Sequence, residues 1–302
     1  MHAYDPRTSA ADGHRSMPHL LSSILIVTGW ALMFSSGIRG EHAPTPALLD
    51  RANVTFAGRQ TEDTVHEAIA CYEEILPHLV SLPVQSQSFV LNRLAQLCYE
   101  ATTFSDGFRN ADRALLELGM SYGLRSLRLA PAFAEMEQAD FGAAVAYVTD
   151  APALLWTANS WAVLCGLDPI QGALQIGKVK ILFERCLDVD EMYWGASPHS
   201  AMGALLVATP AALGGDAVTG RAHLLRATQL APGFLHNRVV YAQYGGFVFD
   251  ALGRMCGIRD ETLVREQIRI VLEGPIHPWP LWNRRAKSDA EALLQQLAET
   301  AP

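Results

Sequence analysis

From about residue 46 onward the chain sets apolar residues at three- and four-residue spacing in segment after segment, and no run of alternating β-branched residues competes with that period. Such a period is met by helices, each of which has to bury its apolar face against another element. The expected fold class is all-α. Internal echoes narrow the architecture. LRSLRLAPAF (Leu124 to Phe133) returns as LLRATQLAPGF (Leu224 to Phe234), and KILFERCLDVDEMY (Lys180 to Tyr193) keeps the shape with the proline replaced. In each, a helix ends in Leu-Ala-Pro or Leu-Asp-x-Asp and an aromatic residue opens the next segment. The two Leu-Ala-Pro ends lie 101 residues apart, close to three units of the ~34-residue tetratricopeptide period. The expectation is a set of tetratricopeptide-like helical hairpins forming a compact curved array. One hairpin cannot bury its own face, so neighbours stack, and the concave side receives a partner.

Local signals agree. TEDTVHEAIACYEEIL opens with Thr61 as an N-cap and acidic residues in its first turn, where the helix dipole favours them, and Pro77 ends or bends that helix. SFVLNRLAQLCYEATTF and DGFRNADRALLELGMSYGLRSLRLAP read as the two arms of a hairpin, separated by Ser105, Asp106 and Gly107.

The N-terminal part is of another kind. Residues 1–44 read as a leader whose uncharged stretch LLSSILIVTGWALMF (residues 20–34) has the size of a signal h-region and falls short of the roughly twenty residues of a membrane span. Ser35 and Gly37 offer small residues for cleavage, and Pro44 and Pro46 disconnect the segment from the helices that follow. The start at Met1 or Met17, cleavage or retention as an anchor, and a buried core helix all stay open. Residues 45–302 then form a single helical-repeat domain, exported or periplasmic.

With 302 residues, 50% of them hydrophobic, the chain can bury a sizeable core, and its net charge of −8 without a basic stripe excludes nucleic acid as an expected partner. Cys71, Cys98, Cys165, Cys186 and Cys256 lie far apart among apolar neighbours, with no C-x-x-C pair, and read as buried free thiols. GALQIGKV (Gly172 to Val179) imitates a phosphate loop but has Val where magnesium needs Ser or Thr, and no strand precedes it. The motifs H-E-x-x-H, G-x-S-x-G and G-x-G-x-x-G do not occur. His66, His78, His223, His236 and His277 read as single helix or turn residues, so neither a metal site, nor a cofactor, nor a catalytic residue is expected.

What remains is an aromatic set with one histidine. Trp156 and Trp161 are five apart and point in different directions; Tyr193 ends a helix, His199 follows Pro198 at the start of another, and Tyr241 and Tyr244 share a face at i, i+3 spacing. Rings converging on a groove supply contact area and polar edges for a ligand. The competing reading has them filling gaps between repeats, while Gly195, Ala196, Gly203, Ala204 and Ala208 let helices approach. Asp216 reads as the N-cap of the next helix.

Taken in order, LLWTANSWAVLCGLD, YWGASPHSAMGALLVATPAALGGD, HLLRATQLAPGF, VVYAQYGGFVFD and PWPLWNRRAKSDAEALLQQL resemble the T-component (TatT-like) family of tripartite ATP-independent periplasmic (TRAP) transporters, over roughly residues 48–297. Trp156, Trp161 and Asp168 match its aromatic pair and acidic follow-on; Tyr193, Gly195 and His199, then Leu213 to Asp216, then Tyr241, Tyr244 and Lys287 match later pattern positions. The resemblance implies an exported, all-helical, tetratricopeptide-like protein without catalysis, associated with the substrate-binding subunit of an importer. Many members are lipoproteins, and no cysteine stands near residues 20–34 to carry a lipid. The expected function is docking of a protein partner, namely that solute-binding subunit; the alternative is a small-molecule binder with a groove made by Trp156, Trp161, Tyr193, His199, Asp216, Tyr241 and Tyr244. A homo-oligomer is a further possible partner state. A third reading makes His199 a base with Asp216 as its polar partner.

Overall fold

The computed structural model describes residues 45–104, 110–250 and 254–300. The leader at 1–44 and the hairpin connection at Ser105 to Gly107 lie outside the described residues. The helices run α1 Thr45–Gly58, α2 Glu62–Glu73, α3 Val84–Thr102, α4 Asn110–Leu127, α5 Pro131–Met136, α6 Phe141–Val145, α7 Ala151–Leu167, α8 Pro169–Asp190, α9 Tyr193–Ala208, α10 Ala217–Leu230, α11 His236–Gly246, α12 Glu261–Glu273 and α13 Pro280–Thr300. The all-α expectation holds. One element departs from it: Phe247–Phe249 (β1) pairs antiparallel with Met255–Ile258 (β2), so the helix expected over VVYAQYGGFVFD stops at Gly246. In its last turn a Cβ added at Gly246 would come within 2.1 Å of Val264 on α12.

Helix starts are encoded locally. Thr61 caps α2 in a reciprocal capping box with Thr64, and Asp140, Asp150, Asp168, Asp216 and Asp260 each accept from backbone N–H groups of the first turn of the helix they precede. Each such cap stabilises by about 1 kcal/mol and satisfies a donor the helix leaves free. Pro131, Pro152 and Pro169 occupy first-turn positions where no N–H is needed. Pro77, expected to end or bend α2, sits in a 3-10 turn (Leu76–Ser81).

The helices pair as α1/α2, α3/α4, α7/α8, α9/α10 and α11/α12, and α7 also packs on α3, α4 and α9. That central place explains its composition. APALLWTANSWAVLCGL is apolar on every side, as a helix covered all round has to be. The main core gathers α1 to α9 around Leu94, Leu97, Leu154, Trp156 and Phe183. A smaller core joins α11, α12, α13 and β1 around Val264, Ile268, Ala286 and Ala290. Helix α13 serves both, since Leu281 and Trp282 at its start belong to the main core. There the Trp282 indole N–H donates to Glu100 at 3.1 Å, and Glu100 is fully buried, held by Arg59 at 2.6 and 2.8 Å and by Gln96 at 2.8 Å. Loss of the Arg59 partner would leave a buried charge uncompensated.

The glycine-lysine stretch lies inside α8, with Gly172 against the Cys165 carbonyl and Lys178 over the rings of Phe141 and Trp161. Cys98, Cys165 and Cys186 are buried and Cys71 is half-buried, but Cys256 on β2 is exposed, contrary to expectation. No helix among the described residues is long and apolar enough to cross a membrane.

Candidate functional site

A cavity of about 680 Å³ opens between α7, α8, α9 and α11. Its deep wall is aromatic. The ring of Trp156 (1% exposed) lies near-parallel to that of Trp282, with centroids 6.4 Å apart, and Tyr99 lies in the same near-parallel relation to Trp282 at 6.5 Å. Burial pushes the Tyr99 hydroxyl up to about 12, so it stays neutral. The exposed lining residues at the mouth are Gly166, Pro169, Ala173, Leu213 and Arg254, and Ile170 and Leu174 (78% and 72% exposed) present further apolar surface on the same first turns of α8.

The turn into α9 sets one wall. Trp194, Gly195 and Ala196 take three consecutive left-handed conformations, with φ of 49°, 68° and 59°. For Trp194 and Ala196 this costs roughly 1–2 kcal/mol each. The tertiary structure holds the turn in place: the side-chain amide of Asn237, itself fully buried, donates to the Gly195 carbonyl at 2.8 Å and to Ala227 at 3.2 Å, and the Ser197 hydroxyl donates to the Trp194 carbonyl at 2.7 Å. Gly195 has no substitute, because a Cβ there would come within 2.8 Å of Phe234. The turn sends the Trp194 ring edge-on against Trp156 and against Trp279, with centroids at 5.6 and 5.1 Å.

Against this geometry the seven residues read from sequence separate. Trp156 and Tyr244 line the cavity. Tyr193 stands behind the wall: its hydroxyl accepts from the Trp156 indole at 3.0 Å, and burial raises its own ionisation well above the ordinary tyrosine range. The other four lie outside the lining. Trp161 packs edge-on against Phe141; Tyr241 sits over Gly245; Asp216 is exposed and accepts from Val218, from the Thr219 N–H and from its hydroxyl. His199 faces α10, where its Nδ1 is 2.8 Å from Nδ1 of His223 and its Nε2 is 3.0 Å from Glu191. A carboxylate only accepts, so the His199 Nε2 carries the proton toward Glu191; in a neutral ring Nδ1 then accepts from His223. The contact with His199 holds the Glu191 carboxyl below its usual range, while burial and the neighbouring His199 lower His223. Asp216 is not the partner of His199, and the base-and-aspartate reading fails on that point. Nor does His223 stand singly, as its sequence position suggested.

Sequence reasoning missed Tyr99, Ser200, His236 and Trp282. Ser200 is 4% exposed and lines the cavity, and its hydroxyl finds no partner among the described residues. The residue one helical turn before it is Ala196, whose left-handed backbone departs from the helix that would otherwise offer a carbonyl. His236 at the start of α11 packs edge-on to Trp282 at 5.0 Å, with Nδ1 unpartnered among the described residues, and burial lowers it to about 4. A serine in a run of small residues, and a histidine at a helix start, carry no sequence signal of this role. Among the described residues no group of three or more His, Cys, Asp or Glu could hold a metal ion.

Comparison with known proteins gives no match among curated sequences. The family described as TRAP transporter T-component matches residues 86–300, from α3 to the end of α13. That is a transporter accessory family rather than an enzyme class. With most of its length, its cavity wall and the α9 turn inside the match, the chain belongs to the TRAP transporter T-component family.

Proposed function

We propose that this chain docks the substrate-binding subunit of a TRAP transporter and that the docking face is the apolar lip of the cavity. The observation that carries the reading is the mouth itself. Gly166, Pro169, Ala173 and Leu213 open the cavity to solvent, and Ile170 and Leu174 extend an apolar surface beside it on α8. Contiguous exposed apolar residues next to a cavity are what a partner covers when a small molecule passes between two proteins. Membership of a TRAP transporter family supports the choice of the substrate-binding subunit as that partner, and the helical hairpins, read as tetratricopeptide-like, supply the rigid frame. Titration calorimetry with the purified substrate-binding subunit encoded in the same genome tests this. Association is expected for the wild-type chain, and Ile170→Asp combined with Leu174→Asp weakens it by about tenfold or more, as loss of a central apolar contact does. No association, or full affinity in the double variant, overturns the proposal.

A second reading, favoured by the cavity of about 680 Å³, is that the chain binds a small molecule itself. The size lies within the range of ligand pockets, and the wall is mainly apolar and aromatic with a few polar groups.

A further inference from the structure

We infer that the cavity takes an uncharged, mainly apolar small molecule bearing one hydroxyl or carbonyl group, with Ser200 as its hydrogen-bonding anchor, and that it rejects carboxylates. The inference rests on the small-molecule reading above and adds the chemistry of the ligand.

Three observations support it. The first is the wall: Trp156, Trp282, Tyr99, Phe183, Ile176 and Leu205 line it with apolar and aromatic surface, and burying a ligand's apolar surface there stabilises the complex by about 25 cal/mol per Å². The second is charge. Among the described residues no Asp, Glu or Lys lines the cavity; its basic residues are Arg254 and His236. Arg254 is already paired with Asp250, through Nη2 at 2.7 Å and Nε at 2.8 Å. Burial keeps His236 neutral at ordinary pH. A carboxylate drawn in against the buried aromatic wall would lose its water and meet no counter-charge there, Arg254 being exposed and held by Asp250, and that loss costs several kcal/mol. A cationic headgroup would meet no carboxylate from the described lining either.

The third is the buried Ser200 hydroxyl, unpartnered among the described residues and lining the space. A hydroxyl both donates and accepts, so it suits an alcohol, ketone, ester or amide equally. Asn159, Gln243 and Thr209, which also line the cavity, are likewise neutral. The polar lining is therefore matched to a dipole and not to an ion. On the far side of α9, the charged and titratable groups Glu191, His199, His223 and Arg226 are engaged with one another and lie outside the cavity lining.

The test uses the full chain and four probes of equal tail length: 1-decanol, decane, decanoate and decyltrimethylammonium, each below its solubility or aggregation limit, followed by calorimetry and tryptophan fluorescence. Decanol is expected to bind at one site, at least about tenfold tighter than either ion. Ser200→Ala weakens decanol by about fivefold and leaves decane unchanged, the loss of one ordinary hydrogen bond. Ala204→Trp, which fills the space from α9, abolishes decanol binding in a variant whose circular dichroism and melting are those of the folded protein. Decanoate or decyltrimethylammonium binding as tightly as decanol overturns the inference and leaves the small-molecule reading standing, as does a Ser200→Ala variant of full decanol affinity. If none of the probes binds, or if folded Ala204→Trp still takes decanol, the cavity reading falls with it.

Discussion

Gly203 and Ala204 are neighbours on α9, yet their surroundings are opposite. Gly203 lies against α10, where an added Cβ would meet Leu224 at 2.6 Å and the Gly220 carbonyl at 2.7 Å. Ala204, one position on, borders the cavity together with Ala201 and Ala208. The two faces have similar composition. On one the missing side-chain volume is taken up by a neighbouring helix, and on the other it is left as space. Small residues on a helix thus permit either close approach or a cavity, and the placement of the next helix selects between them. The histidines divide in the same way: His199 and His223 are hydrogen-bonded on the packed face, while His236 borders the cavity with Nδ1 unpartnered among the described residues.

The sharpest way to break the comparison is to add the same volume to both faces. Gly203→Leu is expected to destabilise the protein by about 3 kcal/mol or more, because a leucine has nowhere to go between two helix backbones. Ala204→Leu costs less than about 1 kcal/mol, since its extra carbons enter open space. Equal losses in urea unfolding would show that the two faces are packed alike.

A somewhat smaller effect distinguishes the histidines. His236 titrates at about 4 in the folded chain, against 6.5 for a histidine in water. The unfolded chain therefore takes up the proton first as pH falls, so this stabilisation is complete above pH 6.5 and is lost progressively down to about pH 4, on the order of 2–3 kcal/mol. His223 is lowered too and adds a loss of the same sign. His236→Phe should flatten most of the slope of melting temperature against pH in that window, and an unchanged slope would remove His236 as its cause. The smallest effect concerns the left-handed turn. Ala196→Gly relieves a positive φ but forfeits a buried methyl, so its net change lies within about 0.5 kcal/mol. Ala204→Gly, at an ordinary helical position, loses about 1 kcal/mol. If the two cost the same, the turn is not strained.

Helix starts with a side-chain cap, such as those at Thr61 and Asp216, were readable because their causes are local. The Asp-Ala-Pro at 150–152 and Asp-Pro at 168–169 place a side-chain acceptor next to a residue that needs no N–H, whatever else the chain does. Two of the aromatic residues that follow the echoed helix ends are buried as core residues: Phe133 and Phe234 are at most 1% exposed. The candidate site was legible only in part. Trp156 and Tyr244 line the cavity and Tyr193 supports it, but Trp161, Tyr241, His199 and Asp216 turn elsewhere. Trp161 fails because five positions carry it well around the helix from Trp156. His199 fails because its ring meets His223 on α10 and Glu191, partners that no spacing around it in the sequence signals.

By itself, then, the sequence determined the all-α class, the helix starts capped by Thr61 and Asp216, and the family, since caps, periodicity and the order of motifs are properties of short stretches read along the chain; the start of α9 at Tyr193, where a helix end was expected, was set by the tertiary structure. The tertiary structure decided which small residues border space and which touch a helix, that His199 meets His223 and Glu191 instead of Asp216, and that Trp282 reaches back to Glu100 across the molecule. Those outcomes depend on the distances between elements far apart in sequence, which are fixed only when the whole core packs.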